Sequence, residues 1–399
     1  MLIASNARIN KKIFSSLFTF KQRLFASTVG IQQPLVVDLT SDTATQPTDD
    51  MFDIMKLASR SDDVFAEDKS TNQLESYVAK LLGHEAALFC VSGSMTNQLG
   101  LRVLLTQPPH SVLCDARSHI YNYECGGIAY HSQASALPVL PSNRHHLTVK
   151  DIANNLMTDP ICSPLTKVVS LENTLNGTIM PLNEIERVRQ FCKRNELKMH
   201  LDGARLWNAS QATGIPLKEY GRHFDTVSIC LSKGVGAPIG SILVGSAEHI
   251  GRARHIRKLM GGGWRQSGPL AAAAHHCIQT VVPTMPTTHR LTRQLAYALQ
   301  SMGIQLTLPC ETNMIFIDTS QVGFTIDTLA KELAKENILI ASDGGHQTRL
   351  VLHYQIPKTS IDTFIQITSK LVQQYQSLNF NRNDNSTTVD SKVAYPSKK

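Results

Sequence analysis

The sequence predicts an α/β protein: a large domain with a mostly parallel sheet flanked by helices, followed by a small α+β domain. Three observations carry this. From about residue 86 to Leu231, short apolar strands alternate with helical patterns, the arrangement of successive strand–helix–strand units. After about residue 285 the order changes to helix, strand, helix, two strands and a last helix. The 399 residues, 42% hydrophobic and 18% charged, are enough for a sizeable core and have the balance of a globular chain.

Ala87–Val91 reads as a buried strand, followed by the loop SGSM and a helix from Thr96 to Leu105. Ser111–Asp115 and Thr166–Glu172 are further strands. Pro181–Asn195 is a helix, with proline at its start and Ile185, Val188 and Phe191 on one face. In ELKMHLD, Leu197, Met199 and Leu201 alternate with polar residues, and Val227, Ile229 and Leu231 do so in TVSICL. Beyond 285 come a helix ending near Gly303, the strand MIFID, the helix TIDTLAKELAKEN, the strands ILIAS and RLVLHYQ, and the helix IDTFIQITSKLVQQYQ. The domain reading is a leader at 1–33, a large domain at 34–285, a small one at 286–375, and a polar, disordered tail at 376–399.

The formal charge is +7, yet residues 1–37 hold Arg8, Lys11, Lys12, Lys21 and Arg23 and no acid, so the remainder is close to balance. Nucleic acid is therefore not an expected partner. The acid-free leader, with serines and the apolar Ile13, Leu17, Phe18, Phe20 and Leu24, suits an amphipathic mitochondrial transit peptide or an extension with no address. A mitochondrial or cytoplasmic location follows, and no apolar run has the length to span a membrane. Eight cysteines without a C-x-x-C pair fit reduced thiols. The pairs His145–His146 and His275–His276 lack metal-ligand spacing, so no metal site is expected.

Chemistry is sought where α/β sheets hold ligands, outside the carboxyl ends of their strands. Asp202 and Arg205 follow one strand there, and Lys233 follows the next, in LSKGVGAPIG. Singly, the aspartate serves as well for a helix cap and the lysine for an exposed loop. Together they suit pyridoxal phosphate (PLP), whose carbonyl takes a lysine amine and whose pyridine nitrogen takes an aspartate. The glycines leave room for a ring, and the acid-free stretch would favour a neutral amine. Gly93 and Ser94, between strand and helix, offer a phosphate seat. Arg265 sits on the glycine run GGGWRQ. His119 either stacks on a ring or satisfies a core hydrogen bond.

The combination resembles the L-threonine aldolase family, PLP-dependent enzymes of fold type I. The motifs are DLTSDTATQP (38–47), DDVFAED (62–68), SGSMTNQ (92–98), SHIYNYECGG (118–127), LENT (171–174), HLDGARLWNA (200–209), LSKGVGAPIGSILVG (231–245), GGGWRQSG (261–268), ETNM (311–314) and RLVLH (349–353). They keep the family's order across about residues 35–375.

The resemblance implies that Lys233 forms the Schiff base, that Asp202 holds the ring nitrogen, and that His119 stacks on the ring. Gly93, Ser94 and Arg265, the last from a neighbouring subunit, would bind phosphate. Ser41, Arg205 and Arg349 would hold the substrate carboxylate, Arg205 also lying at the cofactor. The implied reaction splits L-threonine or L-allo-threonine into glycine and acetaldehyde, in a homotetramer built from dimers. A PLP-dependent β-lyase or aminotransferase would use the same scaffold. Many family members carry a histidine after LENT and a tyrosine after DDV, where this chain has Leu175 and Phe65. That leaves His119, or a water it positions, as the candidate acceptor of the hydroxyl proton.

Overall fold

The computed structural model describes residues 36–384. The leader read at 1–33 and the chain after Asp384 lie outside them. The first strand, β1 (Val37–Asp38), precedes a seven-stranded sheet. That sheet comprises β2 (Ala86–Cys90), β3 (His110–Asp115), β4 (Ala134–Val139), β5 (Thr166–Glu172), β6 (Lys198–Asp202), β7 (Thr226–Cys230) and β8 (Ser241–Gly245). Its order is β2-β8-β7-β6-β5-β3-β4. The strands from β7 to β4 run parallel, and β8 lies antiparallel to both β7 and β2. The mostly parallel sheet expected from the strand–helix alternation is thus present.

One local reading needs correction. The helix after β2 starts at Gly93 rather than Thr96, because Ser92 caps it, its Oγ accepting from the Met95 amide at 3.2 Å. SGSM is a cap and a first turn. In β6, Met199, His200, Leu201 and Asp202 are all buried, so both faces of the strand are covered. Helices cover both faces of a parallel sheet. Met199 and Leu201 belong to one core cluster, while another, built around Leu88, Leu99, Val112 and Leu243, fills the opposite side.

The later part builds a separate core. Here β9 (Gln305–Leu306), β10 (Met314–Asp318) and β12 (Gln347–Val351) form an antiparallel sheet. The two-residue β11 (Ile338–Leu339) pairs in parallel with β1, so ILIAS is a shorter strand than expected, limited by its partner's length. Val37 and Leu39 join Leu295, Phe324, Leu329 and Phe364 in this core. The last helix runs Lys358–Asp384, so residues 376–384 continue it instead of starting a disordered tail. Leu371 and Val372 are buried, and Tyr375 packs on Phe324, which docks the helix just before that point. No helix among the described residues is long and apolar enough to cross a membrane.

A tight turn shapes the segment after LENT. Asn176 and Gly177 have φ of 51° and 78°, between the bridged residues Leu175 and Thr178. Asn-Gly is the pair such two-residue turns prefer. A Cβ at Gly177 would stand 2.8 Å from Met314 Cβ. Gly177→Ala is therefore expected to lose on the order of 1–3 kcal/mol from backbone strain alone, measured as a drop in urea midpoint with unchanged m-value.

Candidate active site

The C-terminal ends of β5, β6 and β7 deliver Glu172, Asp202 and the loop carrying Lys233. That loop closes on itself: Leu231 N donates to Gly240 O at 3.0 Å and Gly236 N to Lys233 O at 2.7 Å. Gly236 has φ of 81°, and a Cβ there would lie 2.6 Å from the Tyr354 ring. The glycines thus satisfy a tight turn, half-burying Lys233 at its start.

Asp202 is buried, with Asn97 Nδ2 donating to its Oδ2 at 2.8 Å and Ala204 N to its Oδ1 at 3.1 Å. Asn97 also donates to Glu124 Oε1 at 2.8 Å, and Gln98 to Glu124 Oε2 at 2.6 Å. His119 Nδ1 stands 2.9 Å from Glu124 Oε1. Glu124 accepts here as it does from Asn97 and Gln98, so Nδ1 is assigned the hydrogen and Nε2 is the ring's other nitrogen. His119 N donates to Glu172 Oε2 at 2.8 Å, fixing the short turn that holds the ring. His119, Glu124 and Asp202 bring one polar atom each within 4.8 Å of one another.

Lys233 has acids near it after all, which corrects the acid-poor setting inferred from its own loop. Its charge acts on Asp42 and on Glu172, both remote in sequence. Burial pushes Glu172 well above the usual carboxylate range, and Asp202's charge adds to this against Lys233, Arg205 and the His119 amide.

Arg205 grips Asp42 with two bonds, Nε to Oδ2 at 2.9 Å and Nη2 to Oδ1 at 2.7 Å. Asn313 Nδ2 adds a third contact to Asp42 at 3.3 Å. Burial alone would raise Asp42, but Arg205, Lys233 and Asn313 together outweigh it and hold the carboxyl below its ordinary 3.8. Asp42 therefore stabilises the fold above its unfolded value, and that contribution is lost as the pH falls through the folded value. Asp42→Asn leaves Arg205 without its counter-charge and should cost about 3–5 kcal/mol at pH 7. Urea melts should show the gap to the parent narrowing below about pH 4.

Arg349 gives Nη2 to Thr40 O at 3.3 Å, leaving most of its fork uncommitted. Burial and the charge of Arg205 hold it below the usual arginine range, so two guanidiniums face this corner with one buried aspartate between them. Ser41 Oγ accepts from Thr43 N at 3.2 Å and Thr43 Oγ1 at 2.9 Å, which leaves its own hydroxyl hydrogen to give.

Gly93 and Ser94 are the first residues of a helix whose leading amides have no intrahelical acceptor. A Cβ at Gly93 would stand 2.7 Å from Cys230 Sγ, at the end of β7. The close approach sets this helix start beside the end of β7, the strand that leads to Lys233. Arg265 is the outlier, exposed and paired with Asp62 at 2.6 Å. Its neighbour Asp63 is locked to the buried Arg257 at 2.7 Å. Phe65 is exposed on that same turn, and Leu175 is buried beside a narrow cavity shared with Glu172, His145 and His146.

The beta-eliminating lyase family matches residues 38–321. A low-specificity L-threonine aldolase of Eremothecium gossypii is 46% identical over 82% of this chain and 85% of its own length. The chain belongs to this family. The threonine aldolase resemblance seen in the ten motifs is borne out at that level. Among solved structures, the Leishmania major threonine aldolase superposes with a TM-score of 0.73 at 20% identity, covering 84% of this chain and 99% of that one. A structure of SPT with PLP gives 0.65 at 17% identity, over 92% of this chain and 98% of the other. At such identities the two structures speak for the fold, and that fold is the expected one.

The sequence passed over Asp42, Asn97, Glu124, Glu172 and His200 as site residues, although all lie inside the quoted motifs. The available signal was a charged or amide group inside an otherwise apolar element, as with Glu172 ending TKVVSLE and His200 within KMHLD.

Proposed function

We propose that this threonine aldolase family member binds PLP and cleaves L-threonine, L-allo-threonine or both into glycine and acetaldehyde. The observation that carries the reading is the convergence, at the carboxyl ends of the central strands, of Lys233, the buried Asp202 and the Glu124-backed His119 with the arginine pair. The donor set fits the cofactor: Lys233 for its carbonyl carbon, Asp202 for its ring nitrogen, and the Gly93 and Ser94 amides for its phosphate. Bound there, PLP supplies an electron sink for the pair left on Cα when Cα–Cβ breaks.

The chain's own residues do the rest. Arg349 and Ser41 have donors to spare for the substrate carboxylate, whereas Arg205, with two donors held by Asp42, contributes charge and its remaining N–H groups. Seating the carboxylate sets which bond at Cα faces the cofactor, a matter of orientation worth several kcal/mol, roughly. Nε2 of His119 accepts the β-hydroxyl proton, directly or through a water, and Glu124 stabilises the resulting ring charge. A homotetramer of dimers is part of this reading, with Arg265 completing the phosphate seat of a neighbouring copy. Sedimentation tests the assembly. The location is read as mitochondrial or cytoplasmic, and a mature N-terminus near residues 27–34 after import would select the former.

The test is a product assay on the purified chain with PLP, using both threonine diastereomers. Equal amounts of glycine and acetaldehyde support the proposal. Pyruvate from serine or cysteine, without acetaldehyde from either threonine, replaces it with β-elimination.

A further inference from the structure

One carboxamide joins two carboxylates of the site. Asn97, buried on the helix Gly93–Leu104, donates from Nδ2 to Asp202 Oδ2 and to Glu124 Oε1, each at 2.8 Å. Behind it, Asn97 Oδ1 lies 3.1 Å from His200 Nε2, and His200 Nδ1 lies 2.9 Å from Thr226 Oγ1. The acceptors dictate the donors. Two carboxylate oxygens take both amide hydrogens, so Oδ1 faces His200, which donates from Nε2 and accepts from the Thr226 hydroxyl at Nδ1. Burial lowers His200 to about 4, so the ring is neutral near pH 7 and its neighbours choose the tautomer.

We propose that Asn97, held by His200, is a positioning residue that sets Asp202 against the cofactor's ring nitrogen and Glu124 against His119. The inference rests on the PLP reading of the site. Asp202 and Glu124 approach within 4.8 Å, a distance at which two like charges repel strongly in a buried setting. The two amide hydrogens between them offset that repulsion and fix both carboxylates in one geometry. A carboxamide turned over would aim its oxygen at both acids, and the His200 N–H prevents the turn. His200 sits on β6 two residues before Asp202, so one strand carries both the aspartate and its brace. Gly100 makes room for that ring, since a Cβ there would lie 2.6 Å from His200 Cε1. The reach of Asn97 also links the ring-nitrogen partner to the proton acceptor: a disturbance at one amide moves both.

The experiment titrates PLP into the full-length apoprotein and reads the visible band, its induced circular dichroism and the thermal midpoint. Asn97→Asp, which replaces the donor by an oxygen of the same size, should weaken PLP by at least roughly tenfold and alter the induced dichroism, which reports ring orientation. His200→Leu should weaken PLP by roughly threefold or more. His200→Gln, which keeps an N–H toward Asn97, should recover most of that loss. A purely structural role predicts lower midpoints with affinity and dichroism of the folded protein unchanged, and that outcome overturns the proposal. Should Asn97→Asp not fold, the two His200 variants decide the matter. Wild-type protein that binds no PLP refutes the reading of the site itself, whereas wild-type binding with indifferent variants refutes only the role of Asn97.

Discussion

Lys233→Ala is expected to lower the rate of acetaldehyde release by at least roughly 10³-fold, more than about 4 kcal/mol of barrier, and to abolish the visible band of a covalently held cofactor. Among the described residues the lysine has no understudy in the site. The other cations there are Arg205, tied to Asp42, and Arg349, and a guanidinium does not act as an amine nucleophile. The loop should tolerate the change, since its shape is set by main-chain bonds from Leu231 to Gly240 and from Gly236 to Lys233 O. A thermal midpoint close to the parent's, alongside the lost activity, would separate chemistry from folding. Residual activity within tenfold of the parent would contradict the assignment.

Asp202→Ala should cost roughly 10²–10³-fold in kcat/KM, the scale of removing one aimed electrostatic group from an active site. The truncation removes the negative charge at the end of β6 and strands one Asn97 hydrogen in a buried setting. PLP added in excess should restore the colour of Lys233-bound cofactor without restoring the rate. Steady-state kinetics at saturating PLP check this, and a rate recovered to the parent's level would show that Asp202 only helps retain the cofactor.

Both residues were legible in the sequence because a charge at the end of an apolar strand has few explanations. Lys233 and Asp202 follow successive strands, and parallel pairing of β6 with β7 brings successive strand ends together. The resemblance then supplied the roles proposed for them. Asp42 and Glu172 were less legible. Each lies far from Lys233 in sequence, and only the return of the chain past β1 and β5 sets them beside it. His200 was less legible for a different reason. Its place in KMHLD reads as an ordinary strand position, and its partners Asn97 and Thr226 lie on other elements that only the fold brings to it. The Asn-Gly pair at 176–177 was a readable turn signal that explains why the chain doubles back after LENT. The helical extension to Asp384 had no periodic signature, since SLNFNRND is polar throughout most of its length.

Reduction of the PLP-loaded protein with borohydride, followed by peptide mass mapping, tests the central claim most directly. It predicts a pyridoxyl group on the peptide bearing Lys233, in near-stoichiometric yield. An unmodified Lys233, or the same group fixed to another lysine, would contradict it.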